Sequence, residues 1–287
     1  IEYVMPVVKE ALEEAEITLN DVDHIGVTYG PGLVGALLVG VATAKALSFA
    51  ADKPLVGVNH MEGHIFANFL SHTELEPPFL ALVVSGGHTQ LVKVLGYNRF
   101  ELMGQTRDDA AGEAFDKIAR VMGYPYPGGP QIDKLAALGN ADAVVFPKAL
   151  HERNNFEFSF SGLKSAVLNY LHTREQRGET YSPEDVAASF QKTVVETLVE
   201  KTVNAAELSG LRTVVLAGGV AANSGLTQAM ETACKEKGYA FYKPEPILCT
   251  DNGAMIGCRA YYMAQDGRFA DMTLNAKPAL SLTGTET

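Results

Sequence analysis

The sequence predicts an α/β protein built as two lobes, and three observations carry that expectation. The 287 residues are 47% hydrophobic, enough to bury one large core or two ordinary ones. Apolar runs with the period of a strand alternate along the chain with runs of helical period. Strand-like starts flanking glycine-rich turns occur twice, near His24 and again at Phe79, as though a second lobe opened there. The expected division is 1–78 plus 251–287 for the first lobe and 79–250, with a helical insertion, for the second.

Taken in order, residues 2–15 read as an amphipathic helix with no strand before it, so an N-terminal portion of the first lobe is expected to be missing. Residues 24–29 and 55–59 are strand-like. They flank a Gly30-Pro31-Gly32 turn and an apolar helix, a right-handed βαβ unit that delivers His60 to the carboxyl end of a strand. Ligands of open α/β sheets gather at such ends. The apolar stretch 33–51 raises the question of a membrane span, but Lys45, several glycines and the strand-turn before it favour a buried or interface helix. No membrane partner is expected.

From Phe79, FLALVVSGGHTQLVKVLG reads as two strands around a Ser85-Gly86-Gly87 turn, with RFELMGQT as a third. Helices are expected at 112–123, 131–138 and 161–173. Ser182-Pro183-Glu184-Asp185 is a helix start, with Ser as N-cap, Pro in the first turn and carboxylates at the positive end; the helix should run to Ser209 and stop at Gly210. Residues 213–216 form a buried-strand pattern that ends in AGGVAAN before another helix. A last helix opens at Thr250-Asp251-Asn252-Gly253.

Composition excludes some functions. With 23 Lys and Arg against 34 Asp and Glu, the net charge of −11 argues against unaided, tight nucleic-acid binding, which needs clustered cations on phosphates. Three scattered cysteines without CxxC spacing, and no signal-peptide pattern, predict a reducing cytoplasm.

The sharpest chemical signal is His60-Met61-Glu62-Gly63-His64. Histidines at i and i+4 share a helix face and can reach one divalent metal. In helical zinc proteases the general-base glutamate adjoins one of the histidines. Here Glu62 is two residues from either, a rotation of roughly 200°, so its carboxylate should point away from the metal. The plain alternative is two ordinary polar residues. Asp251 would complete a two-His, one-carboxylate set suited to Fe(II) or Zn(II), although nothing local joins it to His64. The Ser85-Gly86-Gly87 turn could cradle a phosphate or be a simple hairpin turn. The Gly218-Gly219 element, placed between strand and helix, is the stronger anion or nucleotide site. Asp108 and Asp109 read as caps of the helix that follows, while Asp116 and the YPGGP loop could hold a ribose.

Together HMEGH, VSGGHTQL, DDAAGEAFDK, YPGGP, FSFSGLK, AGGVAAN and CTDNGAMIG, in this order, closely resemble the family of tRNA N6-adenosine threonylcarbamoyltransferases, formerly described as O-sialoglycoprotein endopeptidases. The resemblance spans residues 1–279. It implies a two-lobed actin-like ATPase fold of the sugar kinase, Hsp70 and actin superfamily, with ribonuclease H-like lobes. It implies transfer of threonylcarbamoyl from threonylcarbamoyl-AMP to N6 of the adenosine 3′ of the anticodon, in tRNAs reading ANN codons. By the same resemblance, His60, His64 and Asp251 would bind one divalent metal, Fe(2+) with Zn(2+) as the alternative. Val83, Val84, Ser85, Gly86 and Gly87 would hold the adenylate's phosphate and acyl part; Asp116, Gly129, Asp133 and Asn223 its ribose and adenine. The cleft would take threonylcarbamoyl-AMP or ATP. The family opens on a phosphate loop that would precede Ile1. Implied partners are tRNA, a paralogous actin-like protein and a small ATPase, with a homodimer possible; the small-residue face around Gly35, Gly40 and Ala44 is expected to meet the paralogue. Rival readings are a metallopeptidase, a small-molecule kinase and a nucleotide-binding scaffold of a tRNA-modifying complex.

Overall fold

The computed structural model describes residues 2–150 and 152–282. They form two compact units, Ile1–Leu70 with Asp251–Thr287, and Ser71–Thr250.

In the first unit, α1 (Val4–Glu14) precedes β1 (Ile25–Gly30), α2 (Val34–Ala51), β2 (Leu55–Asn59) and α3 (His60–Ser71), and α10 (Gly253–Gln265) returns from the far end of the sequence. β1 and β2 pair in parallel from Ile25↔Leu55 to Gly30↔Asn59, as the βαβ pattern requires. Val27, Val41, Ala44 and Leu55 form their core, with Ile25, Tyr29 and Leu274 packed against it. α10 lies on β1 at Gly26, where a Cβ would fall 2.6 Å from that of Ala260, so the helix can approach only a glycine. α2 is apolar on all sides and, among the described residues, the one helix long and apolar enough to cross a membrane. Leu37, Val41, Ala44 and Ser48 are buried, while Leu33, Val34, Leu38 and Phe49 are exposed.

That orientation corrects one expectation. Ala44 lies in the core and a Cβ on Gly40 would touch Val27 at 3.7 Å, so two of the three small residues expected to meet a partner face inward. Only Gly35 is in the open.

The second unit holds a five-stranded sheet in the order β5-β4-β3-β6-β7, from β3 (Phe79–Val84), β4 (Thr89–Gly96), β5 (Arg99–Gln105), β6 (Thr213–Ala217) and β7 (Ala240–Tyr242). β3, β4 and β5 form an antiparallel meander; β3, β6 and β7 run parallel. Around the sheet lie α4 (Ala111–Val121), α5 (Gly129–Ala136), α6 (Ser161–Gln176), α7 (Pro183–Ser209), α8 (Ser224–Lys237) and the single turn α9 (Pro246–Cys249). Every residue of central β3 is buried, and each such Leu or Phe contributes about 1.5–3 kcal/mol relative to exposure. Segment 71–78 belongs here, since Glu245 N donates to Ser71 Oγ at 3.0 Å and the His72 ring meets Tyr242. α7 has the expected ends: Ser182 Oγ accepts from Asp185 N at 3.1 Å, and Gly210 closes the helix at φ 72°.

The register matters for the site. Val83 pairs with Ala217, so the Ser85 turn and the Gly218 loop leave the carboxyl ends of neighbouring parallel strands side by side. A sheet gathers ligands at such a place.

Candidate metal and nucleotide sites

In the first unit β2 ends at Asn59, whose side-chain oxygen accepts from Met61 N at 2.9 Å and starts α3. His60 is thus the first helical residue, and His64 lies one turn on. Their rings stand 4.6 Å apart between centroids at 72°. Asp251, just ahead of α10 and its N-cap Asn252, brings Oδ1 to 3.4 Å from His60 Nε2 and 3.2 Å from His64 Nε2. One ligand atom from each residue lies within 4.8 Å of the others.

A divalent cation fits these residues on a direct observation. His64 is 1% exposed, yet neither ring nitrogen has a hydrogen-bond partner among the described residues, and Nε2 faces a carboxylate. At 3.2 Å from Asp251 Oδ1, Nε2 is placed to share a cation with that carboxylate. Contact with the imidazoles of His60 and His64 holds the Asp251 carboxyl well below the usual range. Asp251 stays exposed, which leaves an open side for water or substrate.

Glu62 takes no part in this cluster. Its Oε2 lies 2.5 Å from Arg259 Nε, and burial pushes its carboxyl upward against the pull of that arginine. The glutamate that a peptidase needs beside metal-bound water is therefore turned away and paired.

In the second unit the Ser85–Gly87 turn is closed by Ser85 N donating to His88 O at 2.8 Å. Val83 and Val84 are fully buried in β3 and paired with β4, whereas Gly86 and Gly87 are exposed. Two close approaches shape the turn. A Cβ on Gly112 would lie 2.5 Å from Ser85 O, and one on Gly218, at φ 90°, would overlap the Val84 carbonyl. The first glycine lets the start of α4 abut the turn, where Thr89 Oγ1 also accepts from Ala111 N at 2.9 Å. Exposed glycine amides beside a helix start are the groups from which anion sites are built.

Asp116 Oδ1 accepts from Gly128 N at 2.7 Å, fixing the YPGGP loop ahead of Gly129, the first residue of α5. Asp133 accepts from Ser224 N, Ser224 Oγ and Gln191 Nε2 at 2.9–3.0 Å. Asn223 caps α8 by accepting from Leu226 N and donates to Gln191 Oε1, each at 2.8 Å. The structure thus joins Asp133 and Asn223 through Gln191 and Ser224, neither of which the sequence reading singled out. Gln191 lies within α7 with no neighbouring motif to mark it; Ser224 directly follows AGGVAAN and was within reach.

Asp108 and Asp109 do not cap α4, whose N-cap is Ala110. Asp108 accepts from the backbone of Phe160 and Ser161 at 2.8 and 3.2 Å, at the start of α6. Asp109 binds Lys117 at 2.9 Å and Lys164 at 2.7 Å. Burial works to raise the Asp109 carboxyl, but the two lysines prevail and hold it below its ordinary value.

Residues 1–258 match the family model described as tRNA N6-adenosine threonylcarbamoyltransferase. The chain is 56% identical over 282 residues to the tRNA N6-adenosine threonylcarbamoyltransferase of Clostridium perfringens (strain SM101 / Type A), covering 98% of the chain and 83% of that relative. It is 55% identical, with the same coverage, to the protein of that name from Clostridium botulinum (strain Kyoto / Type A2). Among solved structures, full-length HypF in its phosphate- and nucleotide-bound form superposes with a TM-score of 0.68 at 14% identity, over 92% of this chain and 41% of that one. The activator of 2-hydroxyisocaproyl-CoA dehydratase from Clostridium difficile, with bound ADPNP, superposes at 0.52 and 16% identity, over 92% and 81%. These two carry the fold alone, that of actin-like ATPases.

Proposed function

The chain belongs to the tRNA N6-adenosine threonylcarbamoyltransferase family, and we propose that its histidine–aspartate cluster and its Ser85 turn divide between them the work of the transfer. The reaction moves threonylcarbamoyl from threonylcarbamoyl-AMP to N6 of the adenosine 3′ of the anticodon in tRNAs reading ANN codons. A C–N bond forms to N6, the C–O bond to the adenylate phosphate breaks, AMP leaves, and the proton lost from N6 is released to solvent.

His60, His64 and Asp251 hold one divalent ion, Fe(2+) in this reading, with two imidazoles and one carboxylate as a donor set that suits it. When bound, that ion supplies a Lewis acid and a template for the carbamoyl carbonyl. The amides of Gly86 and Gly87, beside the start of α4, receive the phosphate, which they also stabilise as the leaving group. Asp116 and Asp133 offer carboxylate oxygens to ribose hydroxyls, while Gly129 and Asn223 border the adenine. Val83 and Val84 fix the turn from within the sheet, and Ser85 faces the acyl part. The observation that carries the metal half is His64, buried with both ring nitrogens lacking a hydrogen-bond partner beside Asp251.

The substrate is tRNA. A paralogous actin-like protein and a small ATPase as partners are supported by the net charge of −11, which leaves tRNA recruitment in need of help, and by the exposed Leu33, Val34, Leu38 and Phe49 on and beside α2. A second copy of the chain is the other candidate for that face. The three free cysteines accord with the reducing cytoplasm.

The nucleotide half is tested by mass spectrometry of tRNA incubated with the protein, its partners and preformed threonylcarbamoyl-AMP. Asp133→Ala should lose threonylcarbamoyl-adenosine while keeping its metal content. Product at the wild-type rate would remove Asp133 from the site.

A further inference from the structure

The metal ligands come from distant parts of the sequence, so something must hold their supports in register. His60 and His64 ride on α3, Asp251 on the lead-in to α10. Between the two histidines Glu62 points to the opposite side of α3 and meets Arg259 of α10, Oε2 to Nε at 2.5 Å. The side chains of the pair are 13% and 2% exposed. The guanidinium also lies over the Phe66 ring, 4.7 Å from its centroid, so α3 grips Arg259 from two successive turns. One residue from Glu62, a Cβ on Gly63 would sit 2.6 Å from Ile256 Cδ1, which shows how closely the helices touch beside the ligands.

We propose that the Glu62–Arg259 ion pair is a positioning device for the metal site, clamping α10 against α3 so that Asp251 is presented to His60 and His64. The clamp rests on the metal assignment made above. Apolar packing alone would permit sliding of one helix along the other, whereas a buried ion pair has one register in which both charges are satisfied. Outer partners that orient ligands commonly contribute 10–100-fold to metal affinity.

The test is titration of the metal-free full chain with Co2+, following the d–d absorption for affinity and geometry, alongside thermal unfolding of the metal-free proteins. Wild type should bind one equivalent and His64→Ala should lose it. Glu62→Gln and Arg259→Met should each weaken cobalt binding by about 10–100-fold and alter the spectrum with all three ligands present. The double variant Glu62→Leu/Arg259→Met removes both buried charges, so its melting temperature should return towards that of wild type while its cobalt affinity stays low. Wild-type affinity and an unchanged spectrum in the double variant would show that the pair only stabilises the fold and would overturn the clamp. A wild type that binds no cobalt would overturn the metal assignment and the clamp with it; a clamp failure alone leaves wild-type binding intact.

Discussion

Asp133 grips Ser224 with both carboxylate oxygens, Oδ2 taking the backbone N–H at 3.0 Å and Oδ1 the hydroxyl at 2.9 Å. The contact ties α5 to the start of α8, and Gln191 completes it by donating to Asp133 and accepting from Asn223. Truncating Gln191 would leave buried polar atoms without partners, at about 1–3 kcal/mol. Gln191→Ala should therefore lower the urea midpoint by that equivalent and weaken binding of AMP, read by calorimetry. Unchanged values in both would show that the network neither stabilises the unit nor shapes the site.

The Ser85 turn gives a graded set of glycine substitutions. Gly112→Ala forces a methyl against Ser85 O, a backbone atom that must shift, while a Cβ on Gly86 meets nothing within 4 Å. The first should cost about 1–3 kcal/mol and reduce AMP affinity. Gly86→Ala should leave stability within about 0.5 kcal/mol. Equal melting temperatures for the two would contradict the close packing of α4 on the turn.

Acid stability should report Asp109, whose carboxyl Lys164 and Lys117 hold below its ordinary value against the opposing effect of burial. With the folded value below the unfolded one, the stabilisation is complete above the ordinary aspartate value of about 3.9. It is lost as the pH falls through the lower folded value, because the unfolded chain takes up the proton first. Urea midpoints measured from neutral pH downwards should show wild type ahead of Asp109→Asn near neutrality, with the curves converging in acid. A constant gap at all pH values would show that the two lysines contribute nothing.

Two faces of α2 should respond oppositely to charge. Leu38→Asp places a carboxylate on an exposed position and should leave the melting temperature near that of wild type while abolishing association with the partner in size-exclusion chromatography. Val41→Asp buries the charge between α2 and β1 and should destabilise the first unit severely. Normal association of Leu38→Asp would move the interface elsewhere.

What the sequence revealed follows physical lines. α7 was legible from end to end because a serine N-cap, a first-turn proline and a left-handed glycine are local signals. The histidine pair was legible for the same reason, since i and i+4 lie on one helix face. The inward face of α2 was not, because a helix apolar all round carries no periodic cue to which side is buried. Asp108 resembled a cap for the next helix and instead meets α6 some fifty residues on, a partnership that only the tertiary fold creates. β7 and α9, of three and four residues, are too short to show a period. Gln191 and Arg259 act across elements, and their chain neighbours give no sign of it.

In the proposed function His60, His64 and Asp251 hold the ion that serves threonylcarbamoyl transfer. The most direct test is mass spectrometry of tRNA after incubation with partner proteins, ATP and preformed threonylcarbamoyl-AMP, comparing wild type with a folded His60→Ala. Threonylcarbamoyl-adenosine formed by wild type and lost, together with bound metal, in His60→Ala is the expected result. Full product from a His60→Ala protein that holds no metal would contradict it.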